Sequence, residues 1–132
     1  MTATRRGGHG ALLGALLLPL LAACERPRMS DAEAASLTQG GDARRGAALL
    51  RRYGCTSCHA VGGVPGASAL VGPPLDGVGG RTFVAGVLPN TPDNLVRWIV
   101  DPRGVDSHTA MPDVGVTAPH ARDIAAYLYT LR

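Results

Sequence analysis

Lysine is absent from this 132-residue chain, so all 13 of its basic residues are arginine, set against 10 acids. Aromatics are nearly as scarce, with one Phe, one Trp and three Tyr. A nucleic-acid surface needs clustered cations and rings that stack on bases. The arginines here are scattered and the rings too few, which excludes nucleic-acid binding. No segment alternates cleanly between apolar and polar residues, so no strand is predicted, and there is no internal repeat. No apolar run reaches the roughly 20 residues a transmembrane helix requires. What is plentiful is glycine and proline, at 18 and 10 residues. A chain this short with so few large apolar side chains struggles to bury a sufficient core unaided. A large apolar cofactor would supply the missing interior.

The longest apolar run, Ala11 to Ala22, follows Arg5 and Arg6 and contains one glycine and one proline. A positive start, a short apolar stretch and small residues at its end read as an export signal. The run closes in Leu21-Ala22-Ala23-Cys24, which resembles the lipobox of bacterial lipoproteins. That resemblance implies a signal peptide over residues 1–23 and a lipidated Cys24, which would anchor the chain at the periplasmic face of a bacterial membrane. The alternative is an ordinary cut near Ala23 that leaves Cys24 an incidental thiol. Arg5-Arg6 lacks the apolar and basic context of a twin-arginine signal. Removal of residues 1–23 leaves 109 residues with 11 arginines against 10 acids, close to neutral.

Residues 25–40, ERPRMSDAEAASLTQG, are small and polar and read as a tether with a short helical turn. If flexible, such a tether reaches roughly 20–24 Å. Residues 24–40 are therefore assigned to the lipidated N-terminus and tether, and 41–132 to the domain. From Asp42 to Tyr53 the pattern turns helical: Ala43, Gly46, Ala47, Leu50 and Tyr53 recur at steps of three and four. Arg51 and Arg52 suit its last turn and Gly54 its end. Glycine and proline then dominate as far as Gly80, which predicts a loop wrapped around something. Thr91 as N-cap and Pro92 in the first turn open a second helix with Leu95, Trp98 and Ile99 on one stripe, stopped by Asp101-Pro102. A second loop runs to about Val116. Thr117 and Pro119 open the last helix, whose apolar face carries Ile124, Tyr127, Leu128 and Leu131.

Two of the three cysteines lie in GCTSCHA, residues 54–60. A structural zinc site needs four ligands, and Cys55, Cys58 and His59 are three, with the last two adjacent. A thioredoxin-like disulfide follows a strand, whereas a helix precedes this motif, and a plain disulfide gives His59 no task. Cys-x-x-Cys-His is the attachment signature of haem c. Each thiol adds to one of the two vinyl groups on the macrocycle edge, and the next residue is carried beneath the iron. Imidazole suits iron, which makes His59 the proximal ligand.

From Gly41 to Arg132 the chain resembles the class I c-type cytochromes, and GDARRGAALLRRYGCTSCH is similar to their first helix running into the haem motif. The resemblance implies an all-α fold: three main helices and long loops wrapped around one haem c, held covalently through Cys55 and Cys58. It implies that Gly46 is where the first and last helices cross, with Tyr127 against it. GPPLDGVGGR, residues 72–81, resembles the family's proximal loop, by which the Pro73 carbonyl accepts a hydrogen bond from His59 and Arg81 pairs with a haem propionate. LVRWIVDPRGVDSHTAMP resembles the stretch leading to the methionine ligand, with Trp98 on the haem side, Thr109 near a propionate and Met111, 52 residues after His59, as sixth ligand. His108 is the remaining alternative, since Met29 falls in the tether and His120 in a first turn, where both would be solvated.

Iron held on both faces has no open position for a small-molecule substrate, so the implied function is single-electron transfer between redox proteins such as an oxidase, reductase or dehydrogenase, by a carrier rather than an enzyme. A haem subunit of a larger dehydrogenase or oxidase complex is one alternative; peroxide or gas binding, should Met111 be labile, is another. The lysine ring that mitochondrial members use for docking is missing, so strong electrostatic steering is not expected.

Overall fold

A computed structural model describes Thr2 and residues 28–131. Residues 1–23, read as a signal peptide, and Cys24 lie outside the described residues apart from Thr2. Among the described residues five α-helices follow one another: α1 (Asp31–Leu37), α2 (Ala43–Arg52), α3 (Pro92–Val100), α4 (Pro102–Val105) and α5 (Ala118–Thr130). The last is the centre of the fold, packing against α1, α2 and α3. Its residues Ala121, Asp123, Ile124, Ala125, Ala126, Leu128 and Tyr129 are all buried, more than a single stripe, because neighbours cover it on several sides.

Local chemistry explains where the helices begin. The Asp42 side chain accepts from the Arg45 N–H at 3.0 Å to cap α2, and Thr91 accepts from the Asn94 N–H at 3.2 Å to cap α3. Thr117 occupies the cap position of α5 with extended backbone but no side-chain bond. Gly54, at φ 74°, takes the left-handed conformation that ends α2. Pro102 does stop α3, yet the chain re-enters a single helical turn, α4, because the Asp101 carboxylate accepts from the Gly104 N–H at 2.7 Å.

Two segments depart from the sequence reading. The stretch read as tether is helical from Asp31 to Leu37 and docks on α5. Ser30 and Glu33 form a capping box that starts it, and Ala34 and Thr38 are buried beneath it. The polar composition concealed a helix with one small buried face. A short hairpin also interrupts the first loop, β1 (Phe83–Val84) antiparallel to β2 (Leu88–Pro89). Two residues a side are too few to show alternation in the sequence.

Gly46 meets α5 directly. A Cβ there would stand 2.6 Å from the Asp123 carbonyl carbon and 3.1 Å from the Ile124 Cα. Tyr127, one turn further along α5, sends its hydroxyl to the Gly62 carbonyl at 2.6 Å and pins the loop after the cysteine motif. Beside the crossing, buried Asp123 accepts from the Asp42 N–H at 2.8 Å and from Arg45, whose Nη2 is 2.8 Å away and whose Nε also donates to it.

Candidate cofactor site

The helices and loops enclose a cavity of about 560 Å³. Its apolar lining comes from the core itself: Leu50 of α2, Leu95 and Ile99 of α3, and Ile124 and Leu128 of α5, with Val78, Val84 and Val116 from the loops. Pockets of this size take cofactors or small ligands. Every site residue expected from the sequence within the described region lines it: Cys55, Cys58, His59, Pro73, Arg81, Trp98, Thr109 and Met111.

One wall is built from the cysteine motif. After Gly54 the chain makes a single tight turn, Cys55–Ser57, and the His59 N–H donates to the Cys55 carbonyl at 2.9 Å. Both thiols are unpaired, and burial pushes the Cys55 thiol pKa up. The His59 Nδ1 lies 2.7 Å from the Pro73 carbonyl oxygen. A carbonyl can only accept, so Nδ1 carries the proton and Nε2 keeps its lone pair, the tautomer a metal ligand requires. No group of three or more His, Cys, Asp or Glu among the described residues is arranged to hold a metal ion by itself.

Gly72 makes room for the ring. A Cβ at this position would stand 2.6 Å from Nδ1 and 2.9 Å from Nε2 of His59. The Gly72 N–H also donates to the Cys58 carbonyl at 2.7 Å, tying the proximal loop back to the motif. Sequence reasoning passed over this residue. Its only signal was the absence of a side chain next to Pro73.

Another part of the wall belongs to the loop between α4 and α5. Met111 and Thr109 both line the cavity, and the Thr109 hydroxyl accepts from the Met111 N–H at 3.1 Å, so Thr109 shapes the methionine loop. His108, the alternative ligand, is 95% exposed, off the cavity wall and beside Asp106. Met29, also expected to be solvated, is half-buried against the core because the segment read as tether folds down as α1, and it lines a different cavity. His120, expected to be solvated, is half-buried with its Nδ1 2.7 Å from the Tyr53 hydroxyl. Arg81 donates through Nη2 to the carbonyls of Pro74 at 2.6 Å and Asp76 at 3.2 Å, and no carboxylate among the described residues pairs with it.

A helical domain whose core lines a cofactor-sized cavity, with two thiols and a tautomer-fixed imidazole on one wall and a thioether on another, defines a class of proteins that wrap a metal macrocycle. Residues 43–132 match the family described as Cytochrome c. The chain belongs to that family, as a class I c-type cytochrome, and membership brings covalently bound haem c and haem-based electron transfer. It is also 33% identical over 91 residues to cytochrome c oxidase subunit 2 of Alkalihalophilus pseudofirmus, a match covering 68% of this chain. The chain spans 26% of that relative's length. No solved structure matches it significantly.

The residues present fit the group that the family carries. The walls are apolar where a macrocycle would lie, and the donor set is sulfur and imidazole.

Proposed function

We propose that the protein is a membrane-tethered, periplasmic monohaem cytochrome c that passes single electrons between respiratory redox proteins. Cys55 and Cys58 would hold one haem through thioethers, and His59 and Met111 would be its two axial ligands. Bound there, the group supplies reversible one-electron chemistry. The chain's own residues do the rest: the Pro73 carbonyl orients His59, Thr109 orders the backbone at Met111, and Leu50, Leu95, Ile99, Ile124 and Leu128 exclude water.

The observation that carries this reading is the shared cavity of His59 and Met111, two residues far apart in the chain. Two protein ligands would leave no coordination site for peroxide or a gas. A soft thioether favours the reduced state and raises the potential. Lipidation of Cys24 and export rest on the signal-like N-terminus, and an anchor of several acyl chains would hold the domain firmly near its partners.

A place as the haem domain of a larger oxidase complex is the second reading, favoured by the likeness to an oxidase subunit. The deciding experiment is a redox-titrated visible spectrum of the protein extracted from membranes. The carrier reading expects a far-red methionine–sulfur band in the oxidised form and no carbon monoxide binding by the reduced form. Rapid carbon monoxide binding would overturn it, and co-purification with oxidase subunits would favour the second reading. Cys24→Ser is expected to move the protein from the membrane to the soluble fraction.

A further inference from the structure

Arg81 is the cation on the cavity wall, and its side chain is exposed. It follows a single tight turn, Val78–Gly80, that contains two glycines. Val78 anchors the start of the turn in the core, but its two glycines bring no side chain to tie the Arg81 end to the helices. Asn90, at the end of the hairpin, provides that tie. Its Nδ2 donates to the Val78 carbonyl at 2.7 Å and to the Arg81 carbonyl at 2.9 Å, while its Oδ1 accepts from the Tyr129 hydroxyl at 3.2 Å. The two carbonyls can only accept, so this amide orientation alone satisfies all three partners. Tyr129 is buried in α5. The turn is also pressed against it, since a Cβ on Gly79 would stand 2.8 Å from the Tyr129 Cα.

We propose that Asn90 is the positioning residue for Arg81: by fastening both ends of the 78–81 turn to buried Tyr129, it fixes the guanidinium at the cavity wall and so sets part of the cofactor's reduction potential. This rests on the functional reading above. A cation beside a redox centre favours the reduced form, because reduction adds negative charge, and the effect grows as distance and intervening water decrease. An arginine on a loose, exposed loop would be averaged over longer distances and screened by solvent. Aspartate at position 90 would set a carboxylate against two carbonyl oxygens. Alanine would remove the side-chain bonds to both carbonyls and to the Tyr129 hydroxyl, leaving the Val78 carbonyl with the Arg81 N–H at 3.1 Å and cutting the tie between the turn and α5.

The test is the midpoint potential of the haem-loaded full chain, measured for the parent, Asn90→Ala, Arg81→Gln and the double variant. Both single variants are expected to have lower potentials than the parent, and the Asn90→Ala shift is expected to vanish in the Arg81→Gln background. Tyr129→Phe cuts the link from Asn90 to α5 while leaving the Asn90 bonds to the turn, and is expected to shift the potential the same way by less. That variant decides the matter if Asn90→Ala does not fold. An unchanged potential would overturn the proposal, as would a shift that persists in full without Arg81. A parent that carries haem while its variants keep its potential sinks this inference alone. A parent that carries no covalent haem sinks the functional reading as well.

Discussion

Gly46→Ala is expected to destabilise the protein although alanine is the better helix former. The added Cβ would approach the Asp123 carbonyl oxygen and carbon, the latter at 2.6 Å, and the Ile124 Cα at 3.1 Å. Carbon atoms pack at about 3.5–4.0 Å, so the overlap is close to 1 Å. The opposing atoms are backbone in a buried helix and have no rotamer to change. Overpacking of a core costs typically 1–3 kcal/mol, and rigid backbone places this site toward the upper end. Against it stands a gain of about 1 kcal/mol in helix propensity. The net loss is about 2 kcal/mol, a fall of roughly 8–16 °C in Tm for a domain of this size. Thermal unfolding followed by far-ultraviolet circular dichroism measures it. Ala48→Gly, at an exposed position of the same helix, is the control: it is expected to cost about 1 kcal/mol through propensity alone. If G46A melts at or above the parent temperature, the close crossing of α2 and α5 is wrong.

Two further outcomes follow from the same geometry. Burial pushes the Asp123 carboxyl pKa up, but the Arg45 guanidinium and the Asp42 N–H outweigh it and hold it below the usual carboxylate range. A depressed folded pKa stabilises the protein above the unfolded value, about 3.9 for aspartate, and that contribution is lost as pH falls through the folded value. Asp123→Asn is therefore expected to cost about 1–2 kcal/mol at pH 7, the lower part of the range for charge-assisted bonds because Arg45 is largely solvated. Urea unfolding from pH 7 to pH 3 should show parent and variant converging at the acid end, and a constant gap would refute the role of the charge. Gly72→Ala has no φ penalty to meet, since Gly72 is not in the left-handed region, so its effect is confined to the clash with His59. The haem-loaded variant is expected to lose the low-spin visible spectrum of two-ligand iron and to bind carbon monoxide. An unaltered spectrum would show that the ring does not need the space.

Motifs whose chemistry requires contiguous residues were legible in the chain. Cys55, Cys58 and His59 stood out because attachment of a haem through two vinyl groups, with a ligand beneath its iron, would dictate their spacing, and Gly46 because glycine inside a helix is costly without a packing reason. Helix boundaries at Gly54, Thr91 and Pro102 were legible for the same local reason. The helix over residues 31–37 was not, because a small polar segment gains its stability from burying Ala34 and Thr38 against α5, a surface that exists only once the chain has folded.

The rest of the site was decided in three dimensions. Four side chains could have faced His59, and it was the resemblance of LVRWIVDPRGVDSHTAMP, not local chemistry alone, that set Met111 ahead of His108, three residues away. Only the closure of the loop between α4 and α5 puts Met111 in the cavity wall and turns His108 to solvent. Gly72 and Asn90 were silent for a related reason. One is defined by the ring it must leave room for, the other by carbonyls and a hydroxyl drawn from three separate segments. Local sequence specified the covalent chemistry and the cost of each backbone conformation. Distances between remote residues, which decide that His59 and Met111 share one cavity and where Arg81 lies on its wall, arise from packing around α5.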